Sequence, residues 1–391
     1  MMESFLSKNV VAIPQSGIRK FFELVQQSKD CIPLVVGEPD FITPSDIRQA
    51  AIKAINEGKT QYTSNWGIVE LRKAISKYLE HRYNLSYDYN SEIMATIGAS
   101  EGIDLACRAL IEPNDEVLIP DPAYVAYSPC TLLNYGVPKV VKTFEKDGFK
   151  VTPENLEAAI TPKSKIFVLP YPSNPTGAIM TKDELQAIAT VIIKHNLVCI
   201  SDEIYSELTY GQKHTSIVNI DGMKERTVYI SGFSKSFAMT GWRVGYVCAE
   251  NALLRQMIKI HQFSTVCPAT MAQYACVAAL EQGYENDYAE IAYMREKYDE
   301  RRKFVYNELT GMGLSAFEPK GAFYIFPNVS STGLNGQQFA LKILDEKKVA
   351  MVPGDAFGKF GENNVRISYA YSMENLKLGM SKIKEFLDSI K

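Results

Sequence analysis

The chain alternates short apolar runs with helical patterns, and this alternation limits its fold more than any other feature. Residues 92–97 read as a strand ending at Gly98, followed by a helical pattern through Ile103, Ala106, Leu110 and Ile111. Residues 115–120 and 165–170 read as further strands. Thr181 and Glu184 form a capping-box pattern that predicts a helix to about His195. Residues 197–201, 227–231 and 242–249 are strand-like again. Several of these runs are apolar on both faces. That suits a mostly parallel sheet covered by helices on both faces.

After about Glu250 the pattern changes. Helices are predicted over 269–281, 288–309, 336–346 and 373–390, with short strands at 322–326 and 365–370. The expected fold is α/β: a large three-layer unit over 44–287, and a smaller α+β unit built from 1–43 and 288–391. The segment before about Thr43 is too poor to fold alone and is expected to pack on the small unit or on a partner subunit. With 391 residues, 46% of them hydrophobic, the chain can fill a large core.

Composition removes several function classes. Lys and Arg total 42 against 45 Asp and Glu, a formal charge of −3, so there is no basic surplus for a nucleic-acid backbone. No run approaches the ~20 apolar residues of a membrane span. The first residues lack a secretory layout. The seven cysteines form an odd set without a CxxC, and they read as small buried hydrophobes in a reducing cytoplasm. The four histidines are scattered, so no metal site is expected. Neither GxGxxG nor GxxxxGK[ST] occurs, which removes the main support for dinucleotide or P-loop binding.

Ligands of open α/β sheets bind beyond the carboxyl ends of the strands, so the residues just after each strand matter most. Gly98, Ala99 and Ser100 follow one strand and open a helix, whose free N–H groups suit an anion such as phosphate. Tyr124 follows another, as a core aromatic or as a surface for a ring to stack on. Asn174 sits among three prolines, and Asn174–Pro175 is a candidate cis bond. Asp202 and Glu203 are adjacent, so at most one of them faces a cleft. Lys235 follows the next strand in a segment of small residues, with Arg243 eight positions on. A lysine near a carboxylate, an arginine and an anion-binding helix start suggests Schiff-base chemistry. The matching cofactor is pyridoxal phosphate.

Read together, PSNPTG (172–177), SDEIYSEL (201–208) and SKSFAMTGWRVG (234–245) resemble the fold-type I pyridoxal-phosphate enzymes of the class I/II aminotransferase family. The resemblance runs from LVVGEPDF (34–41) to NVRIS (364–368). The wording is most similar to bacterial N-acetyl-diaminopimelate, aromatic and aspartate aminotransferases, which share segments like SGIRKF (16–21) and GAFYIFP (321–327).

The resemblance implies an aspartate aminotransferase-like fold and a role for each matched residue. Lys235 would hold the cofactor and shuttle the substrate's proton. Asp202, rather than Glu203, would pair with the pyridinium nitrogen. Asn174 and Tyr205 would donate to the ring oxygen, and Tyr124 would stack on the ring. Ala99, Ser100, Ser234 and Arg243 would hold the phosphate. Tyr62 would reach the phosphate of a neighbouring subunit, which implies a homodimer with shared sites. Arg366 would clamp the substrate α-carboxylate, with Asn174 and the Gly37 backbone assisting.

Departures are visible. Gly232 stands where some relatives carry a phosphate-binding Ser, with Ser231 or Ser234 as substitutes. Tyr124 stands where many have Trp. No counterpart appears for the arginine that reads a distal carboxylate in animal-type aspartate enzymes; the nearest segment is Gln262–Thr265. Arg19 is a candidate substitute, and Trp66 would line an aromatic-accepting site or fill a subunit interface. The implied reaction moves an amino group from an L-amino acid to a 2-oxo acid, with 2-oxoglutarate as the expected acceptor, by a ping-pong route. A carbon–sulfur β-lyase on the same fold is the main alternative. A non-catalytic regulatory relative is the remote one, since no basic extension is present.

Overall fold

The structure is a computed structural model and describes residues 5–15, 17, 21 and 30–390. Among these, twelve strands run in chain order: β1 (Ile32–Pro33), β2 (Ile93–Thr96), β3 (Glu116–Asp121), β4 (Val137–Lys142), β5 (Ser164–Leu169), β6 (Val198–Asp202), β7 (Thr227–Gly232), β8 (Gly245–Cys248), β9 (Tyr324–Ile325), β10 (Val349–Ala350), β11 (Val352–Pro353) and β12 (Val365–Ser368). Seven of them form the main sheet, in the order β2-β8-β7-β6-β5-β3-β4. The β3, β4, β5, β6 and β7 pairings are parallel, and β8 runs antiparallel to both β2 and β7. The mostly parallel α/β sheet expected from the sequence is present.

The unbroken apolar runs are explained by two clusters on opposite faces of this sheet. Ile166 and Val168 of β5 join Ile200, Val228 and Ile230 in one cluster, with Ile103 and Leu254 from helices Gly98–Leu110 and Asn251–Ser264. Phe167 and Leu169, the alternate residues of the same strand, join Cys199 and Tyr229 in the other, with Ile188 and Ala275 from helices Lys182–Lys194 and Thr270–Glu285. Successive side chains of a strand point to opposite faces, so a strand covered on both sides is apolar throughout.

The remaining strands make smaller sheets. β11-β12-β9 is antiparallel, and β1 pairs in parallel with β10. Ser368 N–H also donates to Leu34 O at 3.0 Å, so residues 32–34 are tied to the C-terminal part of the chain.

Two expectations need correction. The strand expected from Trp242 begins only at Gly245, because Thr240–Trp242 is a 3₁₀ turn and Arg243 is left-handed at φ 54°. Strand β4 was missed because it lies at the sheet's edge and carries Pro138, Lys139 and Lys142, which hide its apolar residues. The capping box at Thr181 is present: its hydroxyl accepts from Glu184 N–H, and the Glu184 carboxylate accepts from Thr181 N–H.

Candidate active site

A cavity of about 360 Å³ opens at the carboxyl ends of β3, β5, β6 and β7, where an open parallel sheet binds its ligands. The antiparallel course of β8 matters here. Thr96 at the end of β2 pairs with Gly245 at the start of β8, so the residues before β8 lie beside the turn after β2. This brings Arg243 against Gly98. A Cβ on Gly98, which has φ 71°, would come within 2.5 Å of an Arg243 Nη atom, so the close approach requires glycine. Ala99, Ser100 and Arg243 line this part of the cavity, with Ser234 from the turn after β7. Arg243 Nη1 donates to Thr240 O at 2.9 Å.

Asp202 closes β6 and is buried beside the cavity. Its Oδ2 accepts from Tyr127 Oη at 2.8 Å, and its Oδ1 from Ile204 N–H at 3.3 Å. Burial raises its pKa above the ordinary carboxylate value, and the Tyr127 bond opposes that. Glu203 turns the other way. It accepts from Ser201 Oγ at 2.8 Å and Ser216 Oγ at 2.6 Å, and lies 2.6 Å from His214 Nε2. Adjacent carboxylates therefore serve opposite sides of the strand, as their alternation requires.

Lys235 lies on the short helix Phe233–Ser236, directly after β7. Its Nζ donates to Gly37 O at 2.6 Å. Burial pushes its pKa down to about 8; the neighbouring Arg366 and Arg243 act in the same direction, and Glu38 opposes them. A lowered pKa raises the neutral fraction, which is the form a nucleophilic amine needs.

Arg366 of β12 is almost fully enclosed. Its Nη1 donates to Asn174 Oδ1 at 2.9 Å and its Nη2 to Val35 O at 2.7 Å. Both acceptors are neutral, and Nε is buried without a partner. The guanidinium lies over the rings of Tyr324 and Phe357, with Cζ 4.4 and 4.9 Å from their centroids. Burial lowers its pKa below the usual arginine value. A cation held this way is set up for an anion of suitable shape.

The structure thus brings Gly37, Ala99, Ser100, Tyr124, Asn174, Asp202, Tyr205, Ser234, Lys235, Arg243 and Arg366 to one cavity. The Asn174–Pro175 peptide is cis. Of the two substitute serines, Ser234 lines the cavity, whereas Ser231 Oγ donates to Glu203 O at 3.2 Å. Tyr62 does not reach the cavity of its own chain and is 83% exposed. Trp66 packs against the apolar cluster of Met94 and Ile103. Arg19 lies outside the described residues. Sequence reasoning missed Tyr127 and Tyr324, which also line the cavity. Tyr127 carried one signal: it stands three residues after Tyr124. Among the described residues no cluster of His, Cys, Asp or Glu could hold a metal ion, and no helix is long and apolar enough to cross a membrane.

Comparison with known proteins gives the family and the fold. The family model described as aminotransferase class I and II matches residues 29–383. The aspartate aminotransferase of Pyrococcus abyssi (strain GE5 / Orsay) is 42% identical over 98% of this chain and 98% of its own length. A Bacillus subtilis (strain 168) protein named "Probable N-acetyl-LL-diaminopimelate aminotransferase" is 42% identical over 99% of this chain and 96% of its own. Among solved structures, the Thermus thermophilus aspartate aminotransferase with maleate is similar at a TM-score of 0.92 and 36% identity, covering 97% of this chain and 99% of that one. The chain belongs to the class I and II aminotransferase family, and it is an aminotransferase.

Proposed function

We propose that the chain is a pyridoxal-phosphate-dependent aminotransferase that moves the amino group of an aromatic, acidic or N-acetyl-diaminopimelate-type L-amino acid to a 2-oxo acid. The acceptor in this reading is 2-oxoglutarate. The observation that carries it is Arg366: a buried guanidinium with neutral partners and a free Nε beside the Lys235 amine.

The residues present fit the cofactor. Arg243, Ser234, Ser100 and the start of the Gly98–Leu110 helix offer donors to a dianionic phosphate. Asp202 offers a carboxylate to a protonated ring nitrogen, and Tyr127 holds that carboxylate in place. Tyr124 offers a face for the ring, and Asn174 and Tyr205 offer donors to its oxygen. When bound, the cofactor supplies an electron sink for the carbanion left when the donor's Cα–H bond breaks.

The chain's own residues do the rest. Arg366 takes the substrate α-carboxylate in a two-pronged bond, with Asn174 and the Gly37 backbone fixing its orientation. Lys235, whose amine reaches the cavity, would be the base that removes the Cα proton. The enclosure that lowers its pKa to about 8 makes a larger fraction of that amine neutral than an exposed lysine would have. Amino acid and oxo acid use the same clamp in turn, which is the ping-pong order. Tyr62, exposed here, serves the phosphate of a second copy in a homodimer with shared sites. In this reading the enzyme is cytoplasmic.

The test is Lys235→Ala. The purified wild type is expected to be yellow and to change spectrum when mixed with its amino donor in a single turnover. The variant is expected to lose the visible absorbance of the lysine-bound cofactor and nearly all turnover. Retained transamination in the variant would sink the assignment. Pyruvate released from cystathionine without any oxo acid would move it to the β-lyase.

A further inference from the structure

One hydroxyl in the cavity meets both the residues set around the cofactor and those set around the substrate. Tyr324 lies on β9, fully buried, and pairs with Ser368, two residues beyond Arg366 on β12. Its Oη is 2.9 Å from Tyr205 Oη. Its ring covers the Arg366 guanidinium at 4.4 Å. The same hydroxyl stands so close to Gly37 that a Cβ there would come within 2.9 Å of it. Gly37 O in turn accepts from Lys235 Nζ at 2.6 Å. A core tyrosine needs none of these contacts; a phenylalanine would fill the same space.

We infer that Tyr324 is a positioning residue: its hydroxyl donates to Tyr205 and so aims and strengthens the bond that Tyr205 gives to the cofactor's ring oxygen, while its ring holds Arg366 flat for the substrate carboxylate. This rests on the aminotransferase reading of the cavity. The direction of the bond follows from counting protons. Tyr205 has one O–H, and a phenol can donate one bond while accepting another. If that proton goes to the ring oxygen, the 2.9 Å contact is made with the proton of Tyr324. A hydroxyl that accepts a bond donates a stronger one, because a chain of hydrogen bonds polarises each member. A stronger donor at the ring oxygen favours its unprotonated form, and the proton of the lysine-bound cofactor then leaves at lower pH. The titratable and charged groups facing Tyr324 are Tyr205, Tyr124 and Arg366, and those facing Tyr205 add Asp202 and Lys235, whose Nζ lies 5.8 Å from the Tyr205 ring centroid. Tyr324→Phe leaves all of them in place.

The experiment is a spectrophotometric pH titration of the visible band of the holoenzyme, in wild type, Tyr324→Phe and Tyr324→Leu. The Phe variant keeps the ring and loses only the hydroxyl. Its midpoint is expected to rise by about 0.3–0.6 pH unit, a roughly two- to fourfold change in the proton equilibrium. The Leu variant loses the ring as well. It is expected to show the same rise, with KM for the amino acid about fivefold above that of the Phe variant. Should the Phe variant fail to fold, Gly37→Ala supplies the second arm. Its methyl group would displace the Tyr324 hydroxyl, and the midpoint is expected to rise as well. A wild-type band that titrates, with a Phe-variant midpoint within about 0.1 pH unit of it, overturns the inference and leaves the aminotransferase reading intact. A wild type that binds no cofactor and shows no such band overturns both.

Discussion

Arg366 and Arg243 line the same cavity, but their surroundings differ in almost every respect. Arg366 belongs to the small antiparallel sheet, is 2% exposed, and is fixed by Asn174, Val35 and two aromatic rings. Arg243 stands two residues before β8 of the large sheet, is exposed, and makes one bond to Thr240 O. A charge held in low dielectric acts strongly on whatever anion meets it, and it cannot rearrange at low cost. An exposed charge acts weakly and shares its task with water and salt. The enclosed arginine therefore suits the group that changes in every half-reaction and must be oriented each time. The open one suits a phosphate that stays bound and is held by several donors at once.

The comparison breaks first at Arg366. Arg366→Leu is expected to cost about 2–5 kcal/mol of transition-state binding, roughly 30- to 5,000-fold in kcat/KM for both amino acid and oxo acid. Retention of cofactor, followed by its absorbance after gel filtration, is expected to be unchanged. Steady-state kinetics with either substrate checks the first part, and a loss below tenfold would remove Arg366 from the clamp. Arg243→Leu is expected to do the reverse and to do less. Cofactor dissociation should rise by about 1–2 kcal/mol, roughly 5- to 30-fold, with the difference from wild type shrinking in high salt. A salt-independent effect would mean that Arg243 works as a buried partner, and the contrast between the two arginines would disappear.

The same contrast explains what was legible in the sequence. Strands β3, β5, β6 and β7 were readable because both faces are covered, so their central residues are apolar on both faces. The residues that follow them were readable because polar side chains at the end of such a run, like Asp202 and Lys235, have little structural reason to be there. β4 was not legible, since an edge strand mixes polar and apolar residues. Tyr127 and Tyr324 were not, because a tyrosine within an apolar stretch has the pattern of ordinary core; only the distance of its hydroxyl to Asp202 or Tyr205 marks it out. Arg243 was legible as a charge near Lys235. Its nearness to Gly98 was not, because it depends on β8 running antiparallel, and periodicity within one strand carries no direction.

The smallest expected effect sharpens the open end of the cavity, where two serines compete for one role. Ser231 and Ser234 are three residues apart and both buried, so burial does not separate them. Their hydroxyls do: Ser231 Oγ donates to Glu203 O at 3.2 Å, on the side of the sheet away from the ligand, and Ser234 lines the cavity beside Arg243. Ser234→Ala is expected to weaken cofactor retention by about 1 kcal/mol, roughly fivefold, and to leave the melting temperature of the cofactor-free protein in place. Ser231→Ala should do the opposite. It leaves the buried Glu203 carbonyl without that donor and lowers stability by about 0.5–1.5 kcal/mol, with cofactor affinity unchanged. Thermal melts of the cofactor-free proteins and spectroscopic titration with pyridoxal phosphate read the two quantities separately. If Ser231→Ala were the variant that released cofactor, the phosphate would sit deeper than Arg243 and Ser100 imply, and the division between an open phosphate end and an enclosed carboxylate end would have to be redrawn.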